Sequence, residues 1–153
     1  MHTVIIIPGL GRDERSIERA TRYWQTYGLS PVVHSVGWHD EEKTFQPKLR
    51  RLIRFVDSLK KKGHMVSIVG LSAGGSAALN AFVERKKTIH RVVSICARLR
   101  VGKEKGFRSF QTRTASSPAF ADSVRQFMRH EKTLTAIDRR RIMTVRAMFG
   151  DEL

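Results

Sequence analysis

Val66-Ser-Ile-Val-Gly70-Leu71-Ser72-Ala73-Gly74-Gly75 sets a short apolar run directly against a Gly-x-Ser-x-Gly pattern, and Ser76-Ala-Ala-Leu79 continues it as a helix former. The five-residue pattern arises often by chance. Its weight comes from context, because a strand that turns sharply into a helix forces the serine into a strained backbone conformation and crowds its neighbours. Glycine at 70 and 74 answers that crowding for steric reasons. The Ser72 hydroxyl is then held out at the carboxyl end of a strand and at the start of a helix, whose dipole favours developing negative charge. Acyl transfer requires this arrangement; the competing reading is a plain glycine-rich turn.

Outward from this segment, apolar runs alternate with amphipathic stretches, the pattern of a parallel sheet covered by helices. Strands are expected at Thr3–Ile7, Pro31–Val36, Val66–Gly70, Arg91–Ile95 and Ile142–Phe149. A helix over 13–27 brings Ile17, Ala20, Tyr23, Trp24 and Tyr27 to one face, and Gly28 stops it. A second, over 45–62, turns Leu49, Leu52, Ile53, Val56 and Leu59 inward, and a third covers 76–85. After Ile95 the texture becomes polar and rich in glycine, serine and threonine, so 97–141 reads as an excursion from the sheet. Within it, Ser116-Ser117-Pro118 starts a helix running to about His130, with Phe120, Val124, Phe127 and Met128 as its apolar stripe, and Thr135 with Asp138 is spaced as a capping box. The expectation is one domain over 1–153: an α/β fold, a three-layer αβα sandwich on a mainly parallel sheet of about five strands.

Val4-Ile-Ile-Ile-Pro8-Gly9-Leu10-Gly11 is a second strand that runs into a glycine-lined loop. An oxyanion hole needs such a loop. One N–H is expected from Ala73, the residue after the nucleophile, and the other from Leu10. A dinucleotide site is the competing use, but Glu14 stands where its fingerprint requires glycine, and no Walker lysine-serine pair is present.

With these motifs in place, residues 3–153 resemble the α/β-hydrolase family, specifically small members that lack the first two strands. Pro8-Gly9-Leu10-Gly11 resembles the family's oxyanion loop, Gly70 to Gly74 its nucleophile elbow, and Val145 to Asp151 the strand end that delivers its acid. The resemblance implies Ser72 as nucleophile, Leu10 and Ala73 as oxyanion donors, Gly9, Gly70 and Gly74 as structural glycines, and Asp151 as the acid, with Glu152, Asp122 and Asp138 as lesser contenders. It also places 97–141 where the family carries its cap, so that Phe107, Phe110, Phe120 and Phe127 either line an acyl pocket or fill core. The family order is serine, acid, histidine, and no histidine comes after Asp151. A partial fold lacking the last strand and helix is therefore expected, through truncation or a separate fragment. The implied activity is that of a serine esterase or lipase-like hydrolase acting on a small-molecule ester or related acyl substrate. The alternative is a catalytically inactive hydrolase-fold protein that offers a basic surface to an anionic partner.

The histidines present are poor substitutes. His2, His64 and His90 fall near strand amino ends and His34 inside the second strand, whereas the catalytic face of a parallel sheet is at the carboxyl ends. His39 is on the correct side, for catalysis, substrate contact or loop capping, and His130 ends a helix. His39-Asp40-Glu41-Glu42 is a run of consecutive residues that rarely converge on one ion, so no metal and no cofactor are expected. Cys96 reads as a buried small hydrophobe and Trp24 and Trp38 as packing residues. A single cysteine suits a reducing compartment, and the start shows neither a signal peptide nor a membrane span, so a cytoplasmic location is expected. The formal charge of +15 is spread along the chain, and Lys60-Lys61-Lys62 and Arg85-Lys86-Lys87 close helices; no specific nucleic-acid partner is expected. An edge left open by the absent segment makes a homo-oligomer possible.

Overall fold

In the computed structural model, which describes residues 1–11 and 14–146, the alternation read from the sequence becomes a five-stranded sheet. Its strands are β1 (His2–Ile7), β2 (Leu29–Val33), β3 (Met65–Leu71), β4 (Ile89–Ile95) and β5 (Ile142–Val145). They lie in the order β2-β1-β3-β4-β5, every pairing parallel, so each connection crosses over a face of the sheet. The helices are α1 (Glu14–Thr21), α2 (Gln46–Lys61), α3 (Ala73–Glu84), α4 (Phe110–Thr114), α5 (Pro118–His130) and α6 (Ala136–Arg139). The last four residues of the expected fifth strand divide: Arg146 is described just beyond β5, and 147–149 lie outside the described residues.

Both faces of the sheet are buried, but unequally. Ile5, Ile7, Val66 and Ile68 face the larger core, which α2, α3 and α5 fill with Leu49, Leu52, Val56, Leu79, Phe82, Val124 and Phe127. Each such side chain taken out of water contributes about 1.5–3 kcal/mol. The opposite face is thinner: Val4, Ile6 and Val69 sit under Ile17 and Trp24. The five inward positions expected of α2 are all buried.

The first helix departs from its expected form. It is α-helical only to Thr21 and continues as a 3₁₀ helix over Arg22–Tyr27 before Gly28 ends it at a φ of 74°. Ala20, Tyr23 and Tyr27 are consequently exposed, and Ile17, Thr21 and Trp24 face the sheet instead. The physical cause is local: Thr21 Oγ1 donates to the Ile17 carbonyl at 2.8 Å, a back-bond that competes with the helix ladder and tightens the next turn. With three residues per turn, Trp24 comes after Thr21 on the buried side while the tyrosines rotate out.

The excursion after β4 is packed onto the elbow helix. Ser117 caps α5 by accepting the Phe120 N–H, Pro118 occupies its first turn, and the Thr135–Asp138 capping box opens α6. Between α3 and α5, Ser76 Oγ donates to the Ala73 carbonyl at 2.8 Å and meets Ser123 Oγ at 2.6 Å, while Asn80 Nδ2 donates to the Ser76 and Ser123 carbonyls at 2.9 Å each. Small residues on α3 let the two helices approach closely enough for these bonds. Phe110, Phe120 and Phe127 are buried by the same packing, and Phe107 is 57% exposed.

The loop after β2 is held by a lysine that the periodicity of α2 does not single out. Lys48, 1% exposed, donates from Nζ to the Gly37 carbonyl at 2.6 Å and to Asp40 Oδ1, with Glu42 at 3.7 Å. A buried ammonium requires such partners. Burial opposes ionisation of Asp40, but the Lys48 hydrogen bond, the Glu42 N–H and the charges of Lys48 and Arg51 outweigh it and hold the carboxyl below the usual carboxylate range. Because the folded-state value is depressed, this stabilisation is fully present above the ordinary aspartate pKa and is lost as pH falls through the depressed one. Asp40→Asn should therefore lower stability at neutral pH by about 1–3 kcal/mol, less than a fully buried pair would lose because Asp40 is open to solvent, and should flatten the acid limb of a urea-midpoint profile. An unchanged acid limb would show that Asp40 does not hold the lysine.

Candidate active site

At the join of β3 and α3, Ser72 adopts φ 50° and ψ −118°, a region that L-residues seldom occupy, at a cost of about 1–3 kcal/mol. Two backbone bonds hold it there: the Ser72 N–H donates to the Ile95 carbonyl at 2.8 Å, and the Gly75 N–H donates to the Ser72 carbonyl at 3.0 Å. The turn is possible because its flanks have no side chains. A methyl group at 70 would stand 2.4 Å from the Gly74 carbonyl oxygen, and one at 74 would stand 2.1 Å from that of Ile7. Ser72 is exposed, Ala73 and Gly74 are buried, and the Ser72 hydroxyl has no hydrogen-bond partner among the described residues.

The loop after β1 meets this turn. A methyl group at Gly9 would lie 3.0 Å from Ser72 Cβ, so the backbone of the loop runs against the serine itself. Two residues beyond β2 fix the loop: Trp38 Nε1 donates to the Pro8 carbonyl at 3.2 Å, and His39 Nε2 lies 2.9 Å from the Leu10 carbonyl. Trp38 is fixed in turn by Ser117 Oγ, which donates to its carbonyl at 2.7 Å, and by rings of Phe45 and Phe120. These two bonds hold the Pro8–Gly9 and Leu10–Gly11 peptides, on either side of the Gly9–Leu10 peptide that carries the Leu10 N–H. The N–H groups of Leu10 and Ala73 have no acceptor among the described residues.

The histidines and acids divide between the two rims of the sheet and the helix starts. His39 reaches the carboxyl rim, but both ring nitrogens face carbonyl oxygens, Leu10 at 2.9 Å and Ser116 at 3.2 Å, so it braces the loop. His2 bonds Ser67 and His64 bonds Thr3 at the opposite rim, with His90 edge-on to His2; burial, then the charges of His90 and the amino terminus, lower the His2 pKa. His34 lies just past β2 rather than inside it, stacked on Phe55, its pKa lowered by burial and then by Arg51. Asp122 accepts the Phe45 N–H at 2.8 Å and Asp138 accepts the Thr135 N–H at 2.9 Å, so both are engaged in holding helix starts. Asp151 and Glu152 lie outside the described residues. Among the described residues no group of three His, Cys, Asp or Glu is placed to hold a metal ion, and no helix is long and apolar enough to cross a membrane.

Ser72 opens into a cleft of about 440 Å³ that Leu10, Cys96 and Ala97 share on the rim side. Its other walls are Phe120, Arg98, Arg113 and Arg146. Cys96 corrects the sequence reading. It is exposed, with φ 49°, because the chain reverses there at the carboxyl end of β4 and turns the thiol out of the core. The arginines and the Trp38 and His39 braces also escape a reading of the sequence; the available signal is that Trp38 and His39 come after a strand on the carboxyl rim.

The sequence matches no protein-family model and no curated protein. Solved structures do match. Over 66% of this chain and 44% of its own, a structure from the pair of metagenome-derived lipolytic enzymes LipS and LipT superposes with a TM-score of 0.54 at 16% identity. Est1E from Butyrivibrio proteoclasticus superposes over 63% of this chain and 40% of its own, with a TM-score of 0.54 and 23% identity. The chain thus spans less than half the length of these proteins. The monoacylglycerol lipase of Paleococcus ferrophilus matches over 95% of this chain and 84% of its own, with a TM-score of 0.64 and 14% identity. Parallel strand order, a strand-to-helix turn at Ser72 and these superpositions agree: the chain has the α/β-hydrolase fold.

Proposed function

We propose that this chain is the nucleophile-bearing part of a serine hydrolase that cleaves an ester or related acyl bond. The observation that carries the reading is Ser72 at φ 50°, exposed at the end of the third strand and against the Gly9 backbone. Lipolytic enzymes and a monoacylglycerol lipase among the structural neighbours support it. In the proposed reaction a general base takes the Ser72 proton as Oγ bonds to the acyl carbon. The carbonyl oxygen gains negative charge between the N–H groups of Leu10 and Ala73, and the base returns its proton to the departing alkoxide. Water then repeats the sequence and frees the acid. Asp151 is assigned to orient the base, in the role its position after β5 suggests; the sequence holds no histidine after it.

The substrate is a small molecule that enters the cleft between Leu10 and Phe120, and no cofactor is invoked. The residues from Ala97 to Arg141 act as the cap of a single domain. A second reading, an inactive hydrolase-fold binding protein with a basic surface, draws on the Ser72 hydroxyl having no partner among the described residues and on the charge of +15. A cytoplasmic monomer or homo-oligomer is compatible with either.

Three measurements separate the readings. A fluorophosphonate probe should form one adduct, at Ser72, seen by peptide mass, and added imidazole should speed it by supplying the absent base; Ser72→Ala should abolish it. Adducts scattered over other serines, or none with imidazole present, would return the chain to the binding reading. Gly74→Ala forces a methyl group against the Ile7 carbonyl and should cost about 1–3 kcal/mol while removing the labelling. Since Cys96 shares the cleft, its alkylation with a bulky maleimide should slow labelling of Ser72, and undiminished labelling would place the reactive hydroxyl elsewhere.

A further inference from the structure

Resting on the assignment of Ser72 as nucleophile, we propose that its cleft selects acyl substrates that carry a carboxylate away from the bond to be cleaved. Arg98, Arg113 and Arg146 line the cleft that holds Ser72, and none of the described residues lining it is acidic. The three arginines differ in what they already hold. Arg98 is committed to the wall: its guanidinium donates to the carbonyls of Arg100 at 3.2 Å, Arg108 at 2.9 Å and Val101 at 2.9 Å, and to Glu104 at 3.1 Å. The guanidinium groups of Arg113, in the last turn of α4, and Arg146, just past β5, make no hydrogen bond or ion pair to a carboxylate or carbonyl oxygen among the described residues.

These two cations come from elements far apart in sequence and reach one cleft through the fold. The Cys96 N–H donates to the Val145 carbonyl at 2.8 Å, which ties the end of β5, and Arg146 after it, to the rim beside the serine. Phe110, in the first turn of α4, is buried and anchors the helix that presents Arg113. Like charges brought to one cleft without an acid raise the local potential. A planar guanidinium offers paired donors that match a carboxylate, and such charge-assisted bonds are about twice as strong as neutral ones. Phe120 supplies an apolar surface in the same cleft for the carbon chain between that carboxylate and the ester. In this cleft, positive charge lines the same space as the proposed nucleophile.

Monomethyl glutarate and dimethyl glutarate differ by one negative charge at the end remote from an otherwise identical ester, so they test the proposal. Titrated into the ¹⁵N-labelled chain, the monoester should bind on the order of tenfold tighter than the diester and shift the amides of Ala73 and Cys96. That advantage should fall toward parity in Arg113→Gln and Arg146→Gln and in the native chain at high salt, and Arg113→Lys should keep part of it. Equal affinity for the two esters, or shifts confined to Lys60–Lys62 and other helix ends, would overturn the inference. Methanol release in the same samples, with imidazole added as the base, keeps the two ideas apart. Selective binding without methanol or a fluorophosphonate adduct supports the anion site and sinks hydrolysis by this chain. Equal methanol release from both esters supports hydrolysis and sinks the anion site.

Discussion

The arrangement depends on a contact between two backbones with no room for a side chain. Gly74 lies so close to the end of β1 that even a methyl group would overlap the Ile7 and Pro8 carbonyl oxygens. This contact joins the start of α3 to the loop that carries Leu10, and Gly70 repeats the device against Gly74 itself. The strain stored at Ser72 persists because these approaches and the Ile95 hydrogen bond determine its position from both sides. Burial of the sheet does the rest: β1 is hidden on both faces, so neither partner of the contact can withdraw without exposing Ile5, Ile6 and Ile7.

Around that contact the molecule is braced by polar groups drawn from loops. Trp38 and His39 hold the carbonyls of the β1 loop, Ser117 holds Trp38, and Lys48 holds the segment that carries them. Each brace is a side chain reaching a main-chain carbonyl, and those of Trp38, His39 and Ser117 cross between elements distant in the chain. Such bonds orient a peptide more firmly than they stabilise the whole, since the net contribution of one is only about 1 kcal/mol. Their value here is in direction: the peptides on either side of the one that carries the Leu10 N–H are held in place.

The elbow is legible because strand, glycines and serine are contiguous, and the sheet is legible because strands buried on both faces read as apolar runs. Element ends are less so. The run Pro31–Val36 suggests a later strand than Leu29–Val33, because the periodicity of side chains does not say where a ladder loses its partner. The first helix misleads at Tyr23 and Tyr27, where a threonine back-bond changes a helical period that the apolar spacing sets at 3.6. Cys96 reads as buried since it comes after an apolar strand; its exposure arises from a left-handed backbone that no neighbouring residue announces. The arginines of the cleft are hidden for a different reason. They lie at 98, 113 and 146, and only the topology brings them together.

The hydroxyl and amide bonds between α3 and α5 bear on how a molecule would reach Ser72. Ser76, Asn80 and Ser123 form a buried polar seam, and parting it would strand several donors and acceptors in an apolar interior at once. The roof formed by α5, Phe120 included, is thereby tied to the elbow helix. Because Ser72 is already exposed, reaching it does not require that seam to part.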